Sequence, residues 1–367
     1  MERATKKLIE ILINLNPQCI FLVTGKDSFS KICKDSSLIQ GVFDHNYVQF
    51  SEFETNPKIE DVEKGVSLFN KQRCDLIVAI GGGSVMDMAK LVTFFSKKKY
   101  TSIEFLDEKL NEKQVCPLIA IPTTAGSGSE ATHFAVVYSN GQKYSCTDKL
   151  LQPAYVILEP TFLKHLNSYQ LACSGMDALS QGIEAYWNIN SNEHSDQLAL
   201  ESMRLIWENL PSLVNNFKDN FEDILIGANL AGRAINITKT TGPHAVSYPF
   251  TTHFHIPHGH AVSLTLGYFL EYNYNAEEWD CNEKRGVGFV KNKLQYLANF
   301  LGFSDVINLR LALNKFLISI NINIDLRTQN IDLSKIEKFV MENINEERLK
   351  NNPRRLDYDD LLQFLLR

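Results

Sequence analysis

"DLIVAIGGGSVMDMAK", residues 75–90, decides the fold class. The aliphatic run that closes at Ile80 enters three glycines directly, and from Met86 to Phe95 the pattern again suits a helix. This reads as strand, tight turn, helix. A strand with no polar alternation is covered on both faces, as in parallel sheets flanked by helices.

The neighbouring segments extend the same pattern. Leu8, Ile9, Ile11, Leu12 and Leu15 share one helical face, and the apolar run from Cys19 to Thr24 then stops at Gly25. Ile59, Val62, Val66 and Phe69 mark a second helix over 59–72, which leads into the quoted strand. "PLIAI" at 117–121 is another short central strand, followed by the small-residue loop "TTAGSGSEAT" at 123–132. "FAVVYSNGQKYSC" at 134–146, with its Asn-Gly, reads as a hairpin appended to the sheet, and "AYVILEP" at 154–160 as the last strand. Strands alternating with helices predict a parallel, doubly wound α/β sheet. After Leu163 strand signals fade and helical periodicity dominates, so we expect an α/β domain over 1–164 and an all-helical domain over 165–367.

Composition excludes several classes. With 37 Lys and Arg against 43 Asp and Glu, the net charge of -6 does not suit a nucleic-acid surface, which needs clustered cations. No segment has the uninterrupted apolar length of a membrane helix; Glu10, Asn14, Asn16 and Pro17 break the first apolar stretch, which does not read as a signal peptide. Seven cysteines, with no CxxC pair, fit reduced, packed thiols in a cytoplasmic protein.

Three places carry candidate chemistry. The first is the glycine turn: glycine lets the backbone approach a pyrophosphate, and free N–H groups at a helix start attract its charge. Three glycines also make a bare strand–helix corner, but a second small-residue loop on a strand of the same sheet favours a nucleotide site. The second is the pair Asp177 and Gln181, four apart on one helical face; alone, it reads as a solvated polar pair. The third is "GPHAVSYPFTTHFHIPHGHAV", 242–262, where His244, His253, His255, His258 and His260 cluster out of nine histidines in the chain. Imidazole suits Fe, Zn, Ni and Cu alike, and no pair has HExxH spacing.

Together, GGGSVMD (81–87), PTTAGSGSE (122–130), GMDALSQGIEAY (175–186), the PH and HG pairs at 243–244 and 258–259, and NPRRL (352–356) resemble the iron-containing, or group III, alcohol dehydrogenases, in family order and over nearly the whole chain. The resemblance implies an N-terminal dinucleotide-binding domain and a C-terminal helical domain for metal and substrate. It also implies NADH or NADPH as cofactor and a divalent metal, Fe(II) or Zn(II). The metal ligands map onto Asp177, His244 and His258, and the remaining family histidine falls on Gln181. Two outcomes stay open: a metal retained with Gln181 as a weak or water-mediated ligand, or a metal-free nucleotide-binding protein.

The cofactor-binding residues it implies are Gly25, Gly81, Gly82, Gly83, Ser84, Asp87, Thr123, Thr124, Ser127, Lys143 and Leu163. Gly25 stands where NAD-preferring relatives often carry an Asp, and Lys26 follows, so NADPH is expected to be accepted. Many relatives carry a second histidine where this chain has Tyr248; Tyr248 and His255 are the candidates for proton transfer, with His253 near the substrate and His260 structural. Helical spacing puts Ile235 and Lys239 on one face, where Lys239, with Arg233, would bind an anionic substrate or else form a surface ion pair. These features resemble the phosphonoacetaldehyde reductase branch. The expected partner is a small aldehyde or alcohol, in a homodimer; a general short-chain alcohol dehydrogenase is the alternative.

Overall fold

A computed structural model describes residues 2–33, 37–106, 108–110, 115–216, 220–328, 331 and 335–366. The chain divides into two compact units, Met1–Leu166 and Asn167–Arg367.

In the first unit, α1 (Glu2–Leu15), β1 (Ile20–Thr24), α2 (Lys26–Cys33), α3 (Ser37–Phe43), β2 (Tyr47–Phe50), α4 (Ile59–Lys71), β3 (Leu76–Gly81), α5 (Gly83–Phe95) and β4 (Leu118–Pro122) follow one another. β5 (Phe134–Ser139), β6 (Gln142–Thr147) and the two-residue β7 (Tyr155–Val156) complete it. The main sheet has the order β2-β1-β3-β4-β7, parallel throughout. Pleating sends alternate residues to opposite faces. Phe21, Val23, Ile77, Ala79, Leu118 and Ala120 pack with Val62, Val66 and Phe69 of α4 and with Leu91, Val92 and Phe95 of α5. Ile20, Leu22, Leu76, Val78, Ile80, Ile119 and Ile121 pack on the other face with Leu8 and Leu12 of α1, Phe29 and Ile32 of α2, and Ile39 and Val42 of α3. Two covered faces explain the unbroken apolar strands.

Three details differ from the sequence reading. β2 escapes it because this edge strand exposes Tyr47 and Gln49. α5 starts at Gly83, immediately after the turn, ahead of the first apolar repeat. The hairpin is a separate two-stranded sheet, tied to residues 57–58 through Tyr138. Its turn, Asn140 (φ 51) and Gly141 (φ 75), needs two left-handed residues, which Asn-Gly tolerates.

In the second unit, α6 (Ser168–Trp187) starts at a reciprocal cap between Asn167 and Gln170. From Leu171 to Trp187 every residue except Ser174 is buried, so α6 is a central helix. It is followed by α7 (Glu193–Asn216), α8 (Phe221–Thr238), α9 (Gly242–Phe254), α10 (His258–Tyr274), α11 (Val287–Phe300), α12 (Val306–Ser319), α13 (Ile336–Asn343), α14 (Glu346–Leu349) and α15 (Tyr358–Leu366), of which α7, α8 and α10 pack most closely on α6. Gly175 and Gly182 let α7 approach: a Cβ on them would meet Leu210 and Met203. The NPRRL motif is structural here. Asn352 exchanges amide hydrogen bonds with Asn273 of α10, and Arg354 pairs with Asp280 at 2.7 Å. Among the described residues, no helix is long and apolar enough to cross a membrane. Among the described residues, Cys19, Cys74, Cys116, Cys146, Cys173 and Cys281 are free thiols.

Candidate active site

In the first unit the chain runs from β1 out to β2 and returns to β3 on the other side, so the β1 and β3 carboxyl ends flank a topological switch point, where such sheets bind ligands. Gly25 and Gly81–Gly83 lie at those two ends. A Cβ on Gly81 would collide with Val85, and on Gly25 with the Ser28 hydroxyl. A Cβ on Gly82 would come within 3.2 Å of Thr124 Oγ1, and on Gly83 within 2.9 Å of Ser127 Oγ. Thr123 N donates to Gly81 O at 3.0 Å. The structure therefore brings the two small-residue loops into contact.

Beneath them lies a polar cluster. Asp87 accepts from Ser129 Oγ (2.8 Å) and Val136 N (3.2 Å), while Lys90, fully buried, donates to Ser129 Oγ (2.9 Å), Thr132 Oγ1 (3.0 Å) and Phe134 O (2.9 Å). Burial pushes Lys90 down to about 8 against the opposing charges of Asp87 and Glu130, and burial likewise raises Asp87. Asp87 thus anchors the second loop. Ser84 Oγ accepts from Asn56 N, Lys143 sits on β6 opposite Tyr138, and Leu163 is fully buried.

The second unit holds the metal-ligating cluster. Asp177, His244 and His258 offer ligand atoms all within 4.8 Å of one another, the one such group among the described residues. Asp177 Oδ1 is their hub, 3.2 Å from His244 Nε2, 3.9 Å from His258 Nε2 and 3.1 Å from Gln181 Nε2. The reading of Asp177 and Gln181 as a solvated pair is corrected: they are 6% and 3% exposed, because α6 is buried on every side. Asp177 and Gln181 project from α6, His244 from the first turn of α9, and His258 opens α10. Gly259 makes that approach possible, since a Cβ there would overlap the Cys173 carbonyl of α6. Only His258 is appreciably exposed, so access is from its side.

A carboxylate missed in the sequence completes the geometry. Glu184, fully buried and seven residues after Asp177, accepts from Thr241 N (2.6 Å) and Thr241 Oγ1 (3.0 Å) and binds His244 Nδ1 at 2.5 Å. An ionised carboxylate only accepts, so Nδ1 carries the hydrogen and Nε2 faces Asp177. The repeat was visible: positions 177, 181 and 184 fall on one face over two turns. Burial opposes charge on His244, yet Glu184 and Asp177 outweigh it and push the imidazole up to about 10. Burial also opposes ionisation of Asp177, yet the His244 hydrogen bond and the nearby histidine charges hold it below the usual carboxylate range. One carboxylate, two imidazoles and the buried Gln181 Oε1, which has no hydrogen-bond partner, fit a divalent ion.

The remaining predicted residues separate. The Tyr248 ring stacks on His258 with centroids 6.1 Å apart. His253 and His255 are exposed at the far end of α9, about 14 Å or more from His244 by the helix rise. His260 Nε2 donates to Asn323 O (2.7 Å) and its Nδ1 accepts from Tyr169 (2.8 Å), which satisfies it structurally. The shared face expected of Ile235 and Lys239 does not form. α8 ends at Thr238, Lys239 adopts φ 64, and its ammonium lies 3.6 Å from Glu347. Ile235 is buried, and Arg233 is exposed.

Comparison with known proteins agrees with this architecture. The family model described as iron-containing alcohol dehydrogenase matches residues 1–160, and that of the Fe-containing alcohol dehydrogenase family, C-terminal, matches 171–367. The chain is 32% identical over 304 residues to phosphonoacetaldehyde reductase of Streptomyces viridochromogenes, covering 80% of this chain and 76% of that protein. It is 35% identical over 239 residues to aldehyde-alcohol dehydrogenase 2 of Entamoeba histolytica, covering 61% of this chain and 27% of that longer protein. The solved structure of sulfoacetaldehyde reductase from Bifidobacterium kashiwanohense in complex with NAD+ superposes with a TM-score of 0.87 at 26% identity, covering 99% of this chain and 95% of that one.

Proposed function

The chain belongs to the iron-containing alcohol dehydrogenases, metal-dependent oxidoreductases linked to NAD(P), and on that premise we propose that its substrate is a small anionic aldehyde, with phosphonoacetaldehyde, reduced to 2-hydroxyethylphosphonate, as first choice. The observation that carries this reading is the likeness to two reductases named for two-carbon aldehydes that bear a phosphonate or a sulfonate. A bound NAD(P)H would supply the hydride for the carbonyl carbon, and the carbonyl oxygen would take a proton, giving NAD(P)+ and the primary alcohol. When bound, the divalent ion, Fe(II) or Zn(II), supplies Lewis-acid polarisation.

The chain's own residues do the rest. Asp177, His244 and His258 hold the ion, Gln181 stands at the fourth position, and Glu184 fixes the His244 ring. Tyr248, stacked on His258, is the candidate proton donor; His255 is exposed at the C-cap of α9. In the first unit, Gly25, Gly81–Gly83, Ser84, Thr123, Thr124 and Ser127 form the nucleotide cradle, with Asp87 beneath it and Lys143 of β6 adding a positive charge felt by Asp87. Gly25 followed by the exposed Lys26 favours acceptance of NADPH as well as NADH. A homodimer is part of this reading.

A second reading, a general short-chain alcohol dehydrogenase, is favoured by the pairing of Lys239 with Glu347, which draws on the cation assigned to an anionic substrate. One panel separates the two. NADH and NADPH oxidation is followed with phosphonoacetaldehyde, sulfoacetaldehyde, acetaldehyde and butyraldehyde, in wild type and Lys239→Ala. The first reading expects kcat/KM to favour the anionic aldehydes by about tenfold or more, a difference of about 1.4 kcal/mol. Equal turnover of neutral and anionic aldehydes overturns it. A loss confined to anionic substrates in Lys239→Ala assigns the lysine to their recognition; an equal effect on all four removes it from the pocket.

A further inference from the structure

The amide of Gln181, beside the metal-ligating cluster, keeps a buried oxygen without a hydrogen bond. Gln181 is 3% exposed; its Nε2 donates to Asp177 Oδ1 at 3.1 Å, and its Oε1 has no hydrogen-bond partner. An amide oxygen buried without a partner is costly, and native proteins retain such atoms where a ligand satisfies them. The two ends of an amide are nearly the same size, so a half-turn about the last torsion exchanges them. After that turn Oε1 faces Asp177 Oδ1, and two oxygens at hydrogen-bond distance repel unless a cation lies between them. The side chain therefore has two arrangements: donor to Asp177, or joint oxygen ligand with it.

We infer that ion binding turns the Gln181 amide so that Oε1 becomes a ligand, and that the resulting set of two oxygens and two imidazole nitrogens narrows the site's preference for Zn(II) over Mn(II) and Fe(II). This rests on the metal-dependent reading above and deepens it. Zn(II) stands above Fe(II) and Mn(II) in intrinsic affinity for mixed N and O sites. A third imidazole widens that gap, because nitrogen donors favour the later metals. A neutral carbonyl-type oxygen gives it up, because oxygen donors suit Mn(II) comparatively well. His244 is locked by Glu184, whereas the Gln181 amide exchanges donor for acceptor by a half-turn.

The test uses the full chain, stripped with chelator, and measures dissociation constants for Mn(II) and Zn(II) by titration calorimetry in wild type, Gln181→His, Gln181→Glu and Gln181→Leu. Each variant is first checked for a cooperative melt. The Zn(II)-to-Mn(II) affinity ratio is expected to rise about tenfold or more in Gln181→His, a difference of about 1.4 kcal/mol in relative affinity. It should stay near the wild-type value in Gln181→Glu, which keeps an oxygen there, and Gln181→Leu should bind both ions more weakly. An unchanged ratio in Gln181→His, or full affinity in Gln181→Leu, overturns the inference while leaving the metal site standing. Failure of the wild type to bind either ion overturns both.

Discussion

Replacing Gly259 by alanine should damage the metal centre from a position that makes no contact with metal or substrate. A Cβ at this position would overlap the Cys173 carbonyl and come within 2.9 Å of Asp177 N, so the first turn of α10 must lift away from α6 by about 1 Å. Overpacking of that kind costs about 1–3 kcal/mol. For a unit of this size, each kcal/mol lowers Tm by about 2–4 °C, so a fall of roughly 2–12 °C is expected by calorimetry. His258 is the residue before Gly259, and its Nε2 is already 3.9 Å from Asp177 Oδ1. Functional constellations tolerate displacements of about 0.5 Å, so a 1 Å lift should also weaken metal binding and lower kcat/KM by about 100-fold. Gly267→Ala on the same helix is the control. Its Cβ would meet nothing closer than 3.6 Å, and the change should be neutral or stabilise by about 0.5–1 kcal/mol through helix propensity. If Gly259→Ala melts and binds metal like Gly267→Ala, the argument that glycine sets the α6–α10 approach is wrong.

Two further outcomes follow from buried groups. Glu184→Gln keeps the size of the side chain but loses the carboxylate that orients His244, so metal affinity should fall about 10–100-fold; unchanged titration calorimetry would remove Glu184 from the site. Lys90 titrates near 8 in the folded protein against 10.5 unperturbed, so between those values the unfolded chain holds a proton that the folded chain lacks. The stability of wild type relative to Lys90→Met should therefore rise with pH across that window, by up to about 1.4 kcal/mol per unit, in denaturant titrations. A flat difference would show that the folded lysine keeps its proton.

The strands legible in the sequence were those whose surroundings are uniform. β1, β3 and β4 are buried on both faces, and Asn-Gly dictated the hairpin turn, whereas β2 alternates with solvent at the sheet edge and left no apolar run. Spacing alone misjudged Asp177 and Gln181, because a polar pair four residues apart looks the same on a wet surface and inside a metal site. Their apolar flanks, Met176, Leu179 and Ile183, were the better signal, since α6 has no outer face. The same spacing overreached at Lys239, where the helix had already ended and a positive φ redirects the chain. Family resemblance put Asp177, His244 and His258 together across 81 positions, from 177 to 258, a contact no periodicity contains. It did not point to Glu184, whose role depends on a loop, at Thr241, that only the folded chain brings to it.

Aldehyde-dependent oxidation of NADH and NADPH, in protein stripped of metal by a chelator and then supplied with Fe(II) or Zn(II), decides whether turnover needs the ion. Negligible turnover is expected in the stripped protein, with recovery on adding the ion and no recovery in Asp177→Ala. Undiminished turnover in protein verified to be free of divalent metal, or no turnover of any aldehyde after reconstitution, would contradict it.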